Sequence, residues 1–290
     1  MKITVIGGSG FLGSHLSDSL SDRRNKVVIF DKKKSKYLKK GSQKMIVGDI
    51  SNINHLRRAI KGSEVVYHFA GISDIGESIK KPMETARINI LGTANVLQLC
   101  KEYNIKKIIF ASTIYVSSSQ GGFYRVSKQA CELMIEEYKK RFNLNYTIVR
   151  FGSIYGPRSS KDNGLTKIIF NYLKKKKFEY GGTYKAKRRF IHVYDAVKAS
   201  IEMMKPKYKN KKILITGKKI IKITSALRII GRVMNISKKP KFNNKKQLGH
   251  YDISPYSYKA IKTKNFLNDR MLSIKVYCLF TNRKCSVSEM

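Results

Sequence analysis

The 290-residue sequence predicts an α/β protein, a doubly wound parallel sheet followed by a smaller C-terminal lobe. Three observations carry that expectation. Short β-branched apolar runs alternate with amphipathic stretches through the first half of the chain. The first run ends in a glycine turn that opens a helix. After about Tyr155 the alternation gives way to shorter, less regular segments.

Lys2–Ile6 reads as a buried strand. Gly7, Gly10 and Gly13 follow at G-x-x-G-x-x-G spacing, with a helix expected from Phe11 to about Leu20. Gly7 permits the tight turn, Gly10 lets a phosphate approach the backbone, and Gly13 lets the helix lie close on the strand. Free N–H groups at the helix start add partial positive charge, so a dinucleotide pyrophosphate is the expected occupant. Lys26–Phe30 reads as the second strand, closed by Asp31. An acidic residue about 20 positions beyond the glycines can accept both hydroxyls of an adenosine ribose and would repel a 2′-phosphate. NAD is therefore expected, with Lys32 and Lys33 leaving NADP as the alternative.

Met45–Val47 reads as a third strand, before Gly48-Asp49-Ile50, and Ser51 or Asn52 can cap a helix running to about Ile60. Glu64–Tyr67 is the fourth strand. Small residues in His68-Phe69-Ala70-Gly71 would let the backbone pass close to a cofactor, and His68 is read as structural. One long amphipathic helix is expected from Pro82 to about Tyr103, carrying Asn89 on one side. The fifth strand, Lys107–Phe110, ends in Ala111-Ser112-Thr113. In such sheets ligands bind beyond the carboxyl ends of the strands, where Gly7, Asp31, Ala70, Ser112 and Thr113 all fall.

Tyr124-Arg125-Val126-Ser127-Lys128 opens a helix that continues to about Arg141. At i and i+4, Tyr124 and Lys128 share a face. An ammonium and a cationic nicotinamide would bring a phenol, ordinarily titrating at about 10, towards working pH. The spacing also occurs at Tyr103/Lys107, Tyr172/Lys176, Tyr208/Lys212 and Tyr258/Lys262. What singles out Tyr124 is its place after the fifth strand, near Thr113. Asn145–Arg150 reads as the sixth strand, and Phe151 to Arg158 as a loop leaving the sheet. Beyond it come helices near Leu165–Leu173, Val193–Met203 and Thr224–Met234, and a strand at Lys212–Thr216. The expected division is a nucleotide-binding domain over 1–155, to which 187–216 returns, and a substrate lobe over 156–290. The tail after about Asp269 is unassigned.

The hydrophobic fraction of 42% suits a globular core. Cys100, Cys131, Cys278 and Cys285 lack metal spacing, and no signal-peptide pattern or spanning run is present. A cytoplasmic protein without membrane attachment or a metal is expected. The net charge of +41 is extreme. Its lysines form no single stripe and are not interleaved with stacking aromatics, so a solvated surface is favoured over a nucleic-acid-binding role.

Together these residues resemble the extended short-chain dehydrogenase/reductase family, in its branch of NAD-dependent nucleotide-sugar epimerases and dehydratases. The resemblance covers about residues 1 to 260. It rests on GGSGFLG at Gly7–Gly13, Asp31, Gly48-Asp49, HFAG at His68–Gly71, Asn89 with Gly92-Thr93, Ser112-Thr113, YRVSK at Tyr124–Lys128, YGPR at Tyr155–Arg158 and RRFIHVYD at Arg188–Asp195. It implies a Rossmann-type fold in which Phe11, Leu12, Ile50 and Phe69 join the glycines, Asp31, Ala70, Gly71 and Ser112 around NAD. Asp49 would approach the adenine and Lys128 the nicotinamide ribose. Thr113 and Tyr124 would meet the reacting carbinol. Asn89, Ser153 and Arg158 would contact a nucleotide sugar, and Arg188 would hold its pyrophosphate.

The chain departs from the family pattern at Ile6, Ser73, Ser153 and Arg189, which stand for a threonine, a lysine, an asparagine and an acid. Ile114-Tyr115 replaces the acidic pair of a 4,6-dehydratase, which disfavours that chemistry, and the span from Thr113 to Tyr124 is short. The resemblance therefore implies a nucleotide-sugar epimerase. A related NAD(P)-dependent reductase or dehydrogenase and a non-catalytic nucleic-acid-binding relative are the alternatives, and a homodimer is compatible with either enzymatic reading.

Overall fold

The structure, a computed structural model, describes residues 1–39 and 41–243. The unassigned tail, Cys278, Cys285 and the Tyr258/Lys262 pair lie outside the described residues. In chain order, β1 (Lys2–Ile6), α1 (Phe11–Asp22), β2 (Lys26–Asp31), β3 (Gln43–Val47), α2 (Ile53–Ile60) and β4 (Val65–His68) form the first half of the sheet and its cover. Asn52 caps α2, its side-chain oxygen accepting the Asn54 and His55 amides. Next come α3 (Ile75–Lys80), α4 (Pro82–Thr85), α5 (Gly92–Glu102), β5 (Lys107–Thr113), α6 (Gly122–Phe142) and β6 (Tyr146–Phe151). The remainder comprises β7 (Ser153–Tyr155), α7 (Gly164–Lys175), β8 (Glu179–Tyr180), β9 (Lys187–Arg188), β10 (Phe190–His192), α8 (Val193–Glu202), β11 (Lys211–Ile215), β12 (Ile221–Lys222), α9 (Ile223–Val233) and β13 (Lys241–Phe242).

Seven strands make one parallel sheet in the order β11-β6-β5-β4-β1-β2-β3. The order reverses between β1 and β4, which opens a crevice at their carboxyl ends. Alternation along each strand supplies a core on both faces. Ile6, Phe30, Val66, Ile108 and Phe110 pack beneath Leu56 and Ile60 of α2, Val96 and Leu97 of α5, and Ile135 of α6. On the opposite face Ile3, Val5, Ile29, Ile109 and Val149 meet Leu16 and Leu20 of α1 and Val193, Val197 and Ile201 of α8. A separate core of Leu165, Ile168, Ile169, Phe178, Leu227 and Ile230 holds α7 and α9 together in the lobe.

Three local expectations need correction. The stretch from Pro82 is not one regular helix. α4 and α5 are joined by a π-helical turn at Ala86–Leu91, and Asn89 sits within it. Ile75–Lys80 forms a helix that periodicity missed; its signal was an Asp-x-x-Glu cap, with Asp74 accepting the Glu77 amide at 2.7 Å. Part of the loop after β6 is β7, which pairs in parallel with β10.

Candidate active site

The crevice widens into a cleft of about 1050 Å³ that runs from the glycine turn to the lobe. Its first wall is the β1–α1 turn. Gly7 has φ +86°, and a Cβ there would lie 2.5 Å from the Ala70 amide nitrogen. A Cβ on Gly13 would lie 2.2 Å from the Gly7 carbonyl oxygen, so helix and turn touch backbone to backbone. At Gly10 the nearest protein atom would be 3.2 Å away, and the side left open faces the cleft lined by Gly10, Phe11, Leu12 and Gly13.

Asp31 stands at the end of β2. Its Oδ2 accepts the Ser9 amide at 3.0 Å and its Oδ1 the Lys33 amide at 3.3 Å, which fixes the carboxylate against the turn. Asp49, after β3, accepts the amide and hydroxyl of Ser51, each at 2.8 Å, and is paired with Arg87 at 3.1 Å. Burial works against ionisation there. The Ser51 and Arg87 hydrogen bonds outweigh it and hold the Asp49 carboxyl below its ordinary range. Ile50, Phe69, Ala70, Gly71 and Ser112 complete this part of the lining. Packed glycines, a helix start and two oriented carboxylates fit a dinucleotide, and its adenosine diphosphate half most closely.

At the centre, Thr113 ends β5 and Tyr124 lies in the first turn of α6. Tyr124 is 9% exposed, and it and Thr113 both line the cleft. Burial pushes the Tyr124 phenol up to about 12, with the neighbouring Thr113 side chain opposing. Lys128 lies one turn along and is also buried. Its Nζ donates to the Ala111 carbonyl at 2.9 Å and lies 4.6 Å from the Phe110 ring centroid. Burial lowers the Lys128 pKa, while nearby Cys131 and Glu132 oppose that shift. Behind the site the Glu132 carboxylate accepts from Ser112 Oγ at 2.5 Å and from Arg150 Nη2 at 2.6 Å, joining β5, β6 and α6.

Ser153 and Arg188 line the lobe side of the cleft, together with Asp162, Lys167 and Glu179, which sequence reasoning missed. Two expected substrate contacts fall elsewhere. Asn89 is buried, and its amide bonds the Ile72 amide at 2.8 Å, the Ile72 carbonyl at 3.0 Å and Ser127 Oγ at 2.9 Å. Those bonds occupy it in holding the segment after β4. Arg158 is outside the lining, paired with Asp18 of α1 at 2.8 Å and stacked 4.2 Å over the Tyr37 ring. His68 is fully buried 2.9 Å from the Thr93 hydroxyl. Burial and the Lys128 charge push it down to about 3, so it is a neutral packing residue.

Residues 3–216 match the NAD dependent epimerase/dehydratase family. The chain belongs to this family. Among its relatives, a UDP-N-acetyl-alpha-D-glucosaminuronate decarboxylase of Bacillus cytotoxicus is 31% identical over 71% of this chain and 72% of that protein. A dTDP-D-glucose 4,6-dehydratase of Dictyostelium discoideum is 29% identical over 68% of this chain, a match that spans only 54% of the relative's own length. Among solved structures, the UDP-N-acetylglucosamine 4-epimerase of Methanobrevibacter ruminantium M1, in complex with UDP-N-acetylmuramic acid, superposes with a TM-score of 0.83 at 25% identity, covering 100% of this chain and 99% of that one. The family is NAD-dependent, in agreement with the cofactor expected from the sequence, and the relatives above are themselves named for nucleotide sugars.

Proposed function

We propose that this chain is a nucleotide-sugar epimerase that transiently oxidises a sugar hydroxyl, with Tyr124 as the proton acceptor and donor. The observation that carries the reading is that Thr113, Tyr124 and buried Lys128, tied to the Ala111 carbonyl, share the lining of the cleft that begins at the glycine turn. Bound NAD supplies the reversible hydride acceptor. Gly7, Gly10, Phe11, Leu12 and Gly13 cradle its pyrophosphate, Asp31 takes the adenosine ribose, and Asp49 and Ile50 border the adenine. Lys128, with Phe69, Ala70, Gly71 and Ser112 around it, stands at the nicotinamide ribose.

In the reaction Thr113 shares a hydrogen bond with the sugar hydroxyl, usually that on C4, and Tyr124 removes its proton. The positive charges of Lys128 and of the oxidised cofactor both favour the phenolate. Tyr124 returns the proton once the opposite face of the ketone has been reduced. Ser153 and Arg188 bind the nucleotide sugar from the lobe. A reductase would use the same residues, and product analysis separates it from an epimerase.

The enzyme is proposed to be cytoplasmic; no helix among the described residues is long and apolar enough to cross a membrane. It is also proposed to be a homodimer, because Met83, Leu91, Phe123, Val126 and Leu133 leave apolar surface exposed on neighbouring segments from α4 to α6.

The test is Tyr124→Phe. It retains the ring, so NAD should still bind, while turnover of the active member of a nucleotide-sugar panel falls about 10²–10⁴-fold. Full activity in the variant refutes the mechanism.

A further inference from the structure

We infer that the sugar accepted here carries no carboxylate, and that Asp74 is the residue that rejects one. This rests on the reading of the cleft as a nucleotide-sugar site. The chain matches relatives named for acidic and for neutral sugars, so the lining itself must discriminate.

The reacting end of the cleft, around Thr113 and Tyr124, is built from three segments. Ile72, Ser73 and Asp74 come from the chain after β4, Ile114 and Tyr115 from the turn after β5, and Ser153 from β7. Among the described residues, the cations of the cleft stand elsewhere. Lys32 and Arg87 accompany Asp31 and Asp49 at the adenosine end, Lys167 and Arg188 belong to α7 and β9 of the lobe, and Lys128 is tied to Ala111. The lobe pair suits a diphosphate. The carboxylate carbon of a hexuronate is two bonds from C4, so it would enter the end of the cleft where Asp74 is the one charged side chain of those three segments.

Asp74 is held in place. It caps α3 through Oδ1, and α3 is locked onto the start of α6, where the Tyr124 amide and Ser78 Oγ are 3.2 Å apart. Ile79 packs so closely that a Cβ on Gly122 would lie 3.3 Å from it. One short helical turn therefore sets the distance between the Asp74 carboxylate and Tyr124. Oδ2 has no hydrogen-bond partner among the described residues, which suits an acceptor for a sugar hydroxyl. A carboxylate on the sugar would meet a like charge at Asp74, and in so exposed a position that repulsion costs an acidic sugar about tenfold in affinity.

Calorimetric titration of the NAD-loaded protein tests the inference, using nucleoside diphosphate, the nucleotide glucose, its N-acetylglucosamine counterpart and the nucleotide glucuronate, in uridine and thymidine series. Glucose and N-acetylglucosamine derivatives should bind about tenfold more tightly than the glucuronate. Asp74→Asn retains the helix cap, because asparagine caps as well as aspartate. It should raise glucuronate affinity and close the gap. Equal or tighter glucuronate binding by the wild type overturns the inference, as does a gap that Asp74→Asn leaves unchanged. Silence from every ligand, the bare diphosphates included, instead refutes the nucleotide-sugar reading on which it rests.

Discussion

Lys128→Met tests whether the lysine acts on the tyrosine or merely holds a ribose. Burial, opposed only by the Thr113 side chain, pushes Tyr124 up to about 12, and the Lys128 charge does not enter that balance. For turnover near neutrality the proton must leave roughly 7 kcal/mol more easily than that, at 1.36 kcal/mol per pH unit. Two cations can supply most of this. Helix neighbours at i and i+4 are about 5–6 Å apart, and at that distance one unit charge contributes about 3 kcal/mol at an effective dielectric constant near 20. Lys128 would provide one such contribution and the oxidised nicotinamide the other. Removing the ammonium disfavours the phenolate, so the acid limb of the kcat–pH profile should move up by roughly two pH units. At neutral pH kcat should fall about 10²-fold. Lys128→Arg, which keeps the charge, should restore most of the limb's position. The assay is kcat against pH at saturating NAD and substrate. An unmoved limb in Lys128→Met, with NAD affinity alone reduced, would refute the electrostatic role.

Gly13→Ala places a Cβ 2.2 Å from the Gly7 carbonyl oxygen; it should cost about 1–3 kcal/mol in denaturation midpoints and weaken NAD binding in titrations. Glu132→Ala leaves Arg150 half-buried without its carboxylate, and chemical denaturation should show a loss of about 3–5 kcal/mol. Direct titration should find NAD bound more tightly than NADP because the Asp31 carboxylate at the end of β2 would repel a 2′-phosphate. Tighter NADP binding would mean that Lys32 and Lys33 outweigh the aspartate.

The sheet half was legible because each of its requirements leaves a local mark. Short continuous β-branched apolar runs marked the strands, and the glycine spacing marked a turn whose backbone contacts a side chain would fill. Asp31 and Thr113 needed only a strand end to be placed. What escaped depends on distant partners. Nothing near Asn89 in sequence shows that the Ile72 backbone takes up its amide, or that a π turn brings it there. Arg158 carries a motif that suggests ligand contact, yet Asp18, 140 positions earlier, holds it. The α3 helix was readable in principle, since Asp74 and Glu77 form a cap pattern, but six residues are too few for periodicity to register. Lobe contacts such as Lys167 and Glu179 escaped because short strands and turns leave no period to follow.

The charge of the whole chain is also a poor guide to what the cleft selects. Six of its 19 acidic side chains line that cleft, against only five of its 60 lysines and arginines. Over a distance of about a Debye length, roughly 8 Å at physiological salt, the outer lysines can draw any anion towards the surface. Inside, the balance is reversed, and Asp31, Asp49 and Asp74 are fixed by hydrogen bonds to backbone amides or to Ser51. Carboxylates held in this way accept hydroxyl and amino protons from a ligand and oppose further negative charge. On the proposed reading, the phosphates of such a ligand would be met by a helix start, Lys167 and Arg188, not by the surface at large. Attraction of the nucleotide and recognition of its sugar therefore fall to different groups: neutralising surface lysines should slow association and leave sugar preference intact, whereas changing Asp74 should do the reverse.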